Sequence, residues 1–171
     1  MELFRHFAQW IGSTAFNEWL GENAWVIPIS QSLHIVCLAV VFGSAIVISL
    51  HLLGIVRPGR STSQTVTTLV PWMYRALFVL LVTGVVQTIA EPVRQLVTPE
   101  FIWKLVLVVG VLAMTIVFAR SVRRNPAAWD SPASRPAAAK AYAVTSLLLW
   151  TTIVVLGRLI GYTWAFYARP R

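Results

Sequence analysis

Six polar residues sit where an otherwise apolar chain has little reason to carry them: His34, Gln87, Glu91, Lys104, Arg158 and Tyr162. Their types suit the holding of a cofactor or a polar head group. An imidazole ligates metals and exchanges protons near neutral pH. Lysine and arginine hold carboxylate, phosphate or carbonyl oxygens, and amide and phenol groups complete a hydrogen-bonding lining. His34 and Cys37 are also three residues apart, on one face of a helix, a spacing open to a soft metal such as copper with Met114 as a further ligand. The same pair reads equally as a core histidine beside a small buried thiol.

Ligand counting limits haem. The histidines are His6, His34 and His51, and the last two share one hydrophobic run, 17 residues or roughly 25 Å apart along a helix axis. One chain therefore does not offer two facing imidazoles. Haem b would need five-coordination on His34, a methionine partner (Met73 or Met114), or a symmetric dimer. Lys104 and Arg158 suit haem propionates and equally a quinone oxygen, a lipid phosphate or a carboxylate. No glycine-rich phosphate loop or nucleophile elbow is present, so catalysis by this chain alone is not expected.

The elements that must position these groups follow from composition. Of 171 residues, 57% are hydrophobic and 12% charged, against about 45–50% and 25% in soluble domains. Such a chain cannot hide its apolar surface in one core, and the expected class is all-α, an integral membrane four-helix bundle forming a single domain over residues 1–171. Spans are expected at about 24–56, 67–90, 101–119 and 141–166. Residues 2–21, with Leu3, Phe7, Trp10 and Ile11 on one face and Phe16, Trp19 and Leu20 following, are expected to form an amphipathic segment in the membrane interface. Trp25, Trp72, Trp103 and Trp164 fit aromatic belts.

Charge sets the orientation. Arg57 and Arg60 follow the first span, and Arg120, Arg123, Arg124, Arg135 and Lys140 against Asp130 follow the third; Glu2, Glu18, Glu22, Glu91 and Glu100 lie on the opposite side. Short basic loops stay cytoplasmic, so both termini are expected in the periplasm of a bacterial inner membrane. The net charge of +8 is mostly this bias, and no groove of interleaved aromatic and basic residues suggests nucleic acid.

With that topology His34 lies roughly 14 Å inside the outer end of its helix, and Arg158 at comparable depth. Gln31 stands one turn above His34, and Tyr162 one turn above Arg158. Thr83, Gln87 and Glu91 form an i, i+4, i+8 stripe, and Lys104 shares a face with Thr115. The stripes are expected to converge on a periplasm-facing pocket. A second polar group, His51, Arg57, Tyr74 and Arg75, lies near the cytoplasmic boundary, where long side chains reach water. The small residues of Gly157-Arg158-Leu159-Ile160-Gly161 read as a packing signal.

Trp25 to Pro28, Ser32-Leu33-His34, Leu50 to Gly54, Phe101 to Lys104, and Trp150 with Gly157 to Tyr162 resemble an uncharacterised family of small four-helix bacterial inner-membrane proteins. The chain departs from that pattern at Ser49 and His51, where an acidic residue and arginine are expected. The resemblance implies the four-helix fold, marks His34, Lys104 and Arg158 as family-like positions, and implies no activity. A looser architectural similarity to membrane b-type cytochromes and copper-resistance membrane proteins implies a redox setting. The expected function is binding of haem or quinone in the lipid bilayer, for electron transfer with other membrane subunits or a second copy. The alternatives are an accessory or assembly subunit of a membrane complex, and transport or copper handling.

Overall fold

The computed structural model describes residues 2–56, 59–131 and 138–168, with side chains from Phe4 to Thr163 within those ranges. Of the residues named above, Arg57 and Arg135, and the side chains of Glu2, Leu3 and Trp164, lie outside what is described. Among the described residues eight helices follow one another: α1 (Glu2–Gly12), α2 (Ala15–Glu22), α3 (Val26–Leu52), α4 (Thr62–Ala90), α5 (Pro92–Leu96), α6 (Pro99–Arg124), α7 (Pro126–Asp130) and α8 (Ala138–Ala168). No strand occurs among the described residues. Four helices are long and apolar enough to cross a membrane: α3, α4, α6 and, over Ala138–Thr163, α8.

Local chemistry sets the helix ends. Ser61 caps α4 through a capping box: its hydroxyl accepts from Gln64 N–H, and the Gln64 side chain accepts from Ser61 N–H, both at 3.2 Å. That is why α4 begins at Thr62, ahead of its hydrophobic run. Pro92, Pro99 and Pro126 open α5, α6 and α7 at a position where the missing N–H costs nothing. Gly54 ends α3 with φ +76°, and Ile55 N–H reaches back to Leu50 O at 3.0 Å. The helix therefore stops at Leu52, inside the uncharged run.

The long helices form a ring in the order α3, α4, α6, α8. α3 and α4 pack most extensively, α6 on α8 and α3 on α8 follow, and α4 meets α6 least. The ring is solid in one half only. Val41, Ala45, Ile48 and Leu52 of α3 interlock with Val66, Val70 and Met73 of α4, Val111, Phe118 and Val122 of α6, and Ala143 of α8. Phe118 stacks on Tyr142 at 3.9 Å and meets Trp129 of α7 edge-on at 5.2 Å. Toward the other end cavities open between the helices, and the functional candidates lie there.

α1 and α2 cover the open end. Asn17 Nδ2 donates to Ile89 O at 2.6 Å and Ala90 O at 3.4 Å, satisfying carbonyls that the end of α4 would leave bare. Ala8 is fully buried, and a β-carbon on Gly12 would touch Pro92 of α5. Phe4, Phe7, Trp10, Phe16 and Trp19 are exposed, so the aromatic face points away from the bundle.

At the opposite end α7 is tied to α4. Asp130 accepts from Ser63 N–H at 2.8 Å and from the Ser63 hydroxyl at 2.7 Å. Burial opposes its charge, but these bonds, one from the Ser61 hydroxyl and the nearby His51 outweigh it and hold the carboxyl below the usual carboxylate range. A lowered folded pKa means that the charged form stabilises. The contribution is complete above the unfolded value of about 3.9 and is lost as pH falls through the lowered folded value. Hydrogen-exchange protection of α7, corrected for intrinsic rates, should hold from neutral pH to about pH 4 and collapse below. Asp130→Asn should lower it at neutral pH and remove the acid step; an unchanged acid step would assign the titration elsewhere.

Candidate functional site

His34, on α3, faces α4 across the open half. Its Nδ1 lies 2.8 Å from Thr83 Oγ1, and Thr83 Oγ1 donates to Val79 O, also at 2.8 Å. The hydroxyl has one proton; assigned to the backbone carbonyl, it leaves Thr83 to accept from His34 Nδ1–H. In the neutral ring of that tautomer Nε2 carries a bare lone pair, and the bond to Thr83 holds both tautomer and orientation. The Thr83 carbonyl also accepts from Ser30 Oγ at 3.4 Å. Thr83 is thus the link between α3 and α4.

A cavity of about 360 Å³ opens beside this pair, within the ~300–1,000 Å³ range of ligand pockets. His34, Gln87, Glu91, Lys104 and Arg158 all line it, together with Gln31. The convergence read from depth is therefore present. Tyr162 is not in the lining. It is 61% exposed and instead holds Arg158, whose Nη2 donates to Tyr162 Oη at 2.9 Å and whose Cζ lies 5.1 Å from the ring centroid. Arg158 itself is exposed and forms the rim of the cavity, whereas the sequence reading put it deep in the bundle. Thr115 shares the Lys104 face but lies in the solid half, where its hydroxyl donates to Val111 O.

Two lining groups were missed, Arg94 and Gln95. Their segment reads as an outer loop, but α5 folds it back over the cavity. The available signal was Pro92, a helix-opening residue just after Glu91. Arg94 Nη1 pairs with Glu91 Oε2 at 2.6 Å. The small residues of α8 also act differently from expectation. A β-carbon at Gly157 would lie 3.7 Å from Lys104 Nζ, and one at Gly161 would lie 3.4 Å from Arg94 Nη2. The two glycines make room for cationic side chains crossing the face of α8.

The lining carries three cations and one carboxylate, and Glu91 is already engaged by Arg94. Lys104 has no hydrogen-bond or ion-pair partner among the described residues. Gln87 Nε2 and Arg94 Nε are buried without a partner as well. Each of these groups is a donor, and a buried unpaired donor costs about 1–3 kcal/mol. The arrangement is built to receive acceptors, such as carbonyl or carboxylate oxygens, beside one bare imidazole nitrogen. Metal chelation is less well served. Cys37 packs in the core, neither Cys37 nor Met114 lines the cavity, and no group of three or more His, Cys, Asp or Glu is clustered among the described residues. At the other end, Arg75 lies over Trp72 at 5.2 Å, and His51 is buried near Asp130.

Thr83→Val should release His34 while keeping the volume of the side chain. Imidazole ¹⁵N spectra are expected to show one dominant Nδ1–H tautomer in the parent protein and a mixture in the variant, with about 1 kcal/mol lost from stability. A tautomer unaffected by the substitution would remove Thr83 as the positioning residue.

No curated protein and no solved structure matches the chain. Residues 7–163, which contain every site residue named above, match a family of unknown function, DUF6644, and the chain belongs to that family.

Proposed function

We propose that this is a multi-pass protein of the bacterial inner membrane that binds a quinone in a periplasm-facing pocket and serves electron transfer with partner proteins. The apolar outer surface supports membrane insertion. Ile29, Leu33, Val36, Phe78, Leu81, Val109, Val117 and Leu148 are all exposed on the long helices, where a bundle bathed in water would present polar groups. Orientation rests on charge. Arg60, Arg120, Arg123, Arg124 and Lys140 gather at the solid end, the cytoplasmic one by the positive-inside rule, so the hollow end with α1 and α2 faces the periplasm.

The observation that carries the quinone reading is the excess of donors around His34. Lys104, Arg158 and Gln87 can donate to quinone carbonyls, and the bare His34 Nε2 can accept from a quinol hydroxyl, so both redox forms are served. Haem is a second reading, favoured by the same bare Nε2, which is the form an axial histidine takes; Lys104 and Arg158 would then meet the propionates.

The ligand can be identified directly. Solvent extraction of the protein purified in mild detergent should yield a quinone close to one per chain, reduced about tenfold or more in His34→Ala and Lys104→Met. A Soret band with no extractable quinone would replace quinone by haem, and a colourless protein yielding neither would sink both. The orientation has its own check. A cysteine at Glu22 should react with an impermeant maleimide in spheroplasts, whereas one at Arg123 should react only after lysis; the reverse pattern would invert the topology.

A further inference from the structure

The space beside His34 does not end at the polar cavity. A second cavity, of about 470 Å³, lies between α4 and α6. Its walls are apolar, from Leu77, Leu81 and Val85 on α4 and Leu105 and Val108 on α6. The two cavities have His34, Leu38, Lys104 and Ile153 in common, so they meet where the candidate head-group residues stand. Leu81, Val85 and Leu105 are exposed as well as lining it. The apolar cavity therefore opens to the outside of the bundle, at the pair of neighbouring helices that pack least.

Gly84 stands at the junction. A β-carbon there would lie 3.8 Å from His34 Cε1. Its φ is not positive, so the backbone does not require glycine, and glycine within a helix is otherwise unfavourable. What glycine supplies at this position is space. Trp150 adds a further donor: its ring is 2% exposed and lines the apolar cavity, and its Nε1 has no partner among the described residues.

Resting on the quinone reading, we infer that the two cavities form one site for a long-tailed quinone, with the head at His34 and Lys104 and the tail passing Gly84 and leaving between α4 and α6 into the lipid. The polar groups bind the ring oxygens, and the apolar slot selects ligands that carry a hydrocarbon chain. Each buried methylene adds to affinity, so tail length is a specificity determinant. Ligand exchange takes place sideways with the bilayer rather than through the periplasmic mouth.

The full-length protein in detergent tests this with two probes, a tail-free dimethoxy-methyl-benzoquinone and its decyl derivative, followed by quenching of tryptophan fluorescence. The parent protein should bind the decyl form about tenfold or more tightly than the tail-free one. Gly84→Ala should keep that ratio. Leu81→Trp and Leu105→Trp, which narrow the exposed mouth from its two walls, should each bring the two affinities to within about twofold, with tail-free binding retained as the control for folding. Equal affinities in the parent protein, or a ratio that survives both substitutions, would overturn the tail path and leave the head-group site standing. If neither probe binds the parent protein, the quinone reading itself falls.

Discussion

A long helix with an apolar outer face satisfies its backbone hydrogen bonds within its own segment and needs none from its surroundings. All else follows from that constraint. The chain is helical wherever it is long, its caps and prolines act at the ends, and polarity inside the bundle comes from side chains alone. Each polar side chain facing inward must then find a partner or carry the cost of lacking one. Thr83 and Asp130 find theirs within the chain. Lys104, Gln87 and Trp150 find none among the described residues, and that contrast separates the solid half of the bundle from the hollow half.

The asymmetry has a simple packing origin. In the solid half, small residues such as Ala45 and Ala143 alternate with Phe118, Tyr142 and Trp129, so that facing surfaces interlock. In the hollow half, α3 and α4 are still held together by the His34–Thr83 bond, but α6 departs from α4. The room that results is bounded by Lys104 on one helix and Gly84 on another. A bundle of four helices can thus be a rigid support at one end and a receptacle at the other without any change of fold.

Much of this was legible in the sequence. Gaps between charges located the long helices, depth counting from their ends put His34 and Arg158 level, and polar stripes toward the outer half added Gln87, Glu91 and Lys104; all five line one cavity. What depth could not supply was direction around each helix axis. Tyr162 has the expected height but points outward, and Arg158 stands at the exposed rim rather than deep inside, because a helix that is apolar on all sides carries no period to reveal its inner face. Thr115 has the right face at the wrong height. Arg94 and Gln95 were hidden because a five-residue helix such as α5 leaves little pattern, and the apolar slot was invisible because it arises from a separation between α4 and α6 that no single residue encodes.

The bond from Asn17 to the end of α4 also has a bearing on biosynthesis. Its acceptor, Ile89 O, lies 72 residues further along the chain. At a translation rate of about 5–20 residues per second, α2 leaves the ribosome roughly 4–14 s before the carbonyl it will cap exists. During that interval the residues of α1 and α2 that end up buried, Ala8 and Leu20, have no bundle to pack against. The part of the chain made first is consequently docked on the bundle only after α4 has been completed.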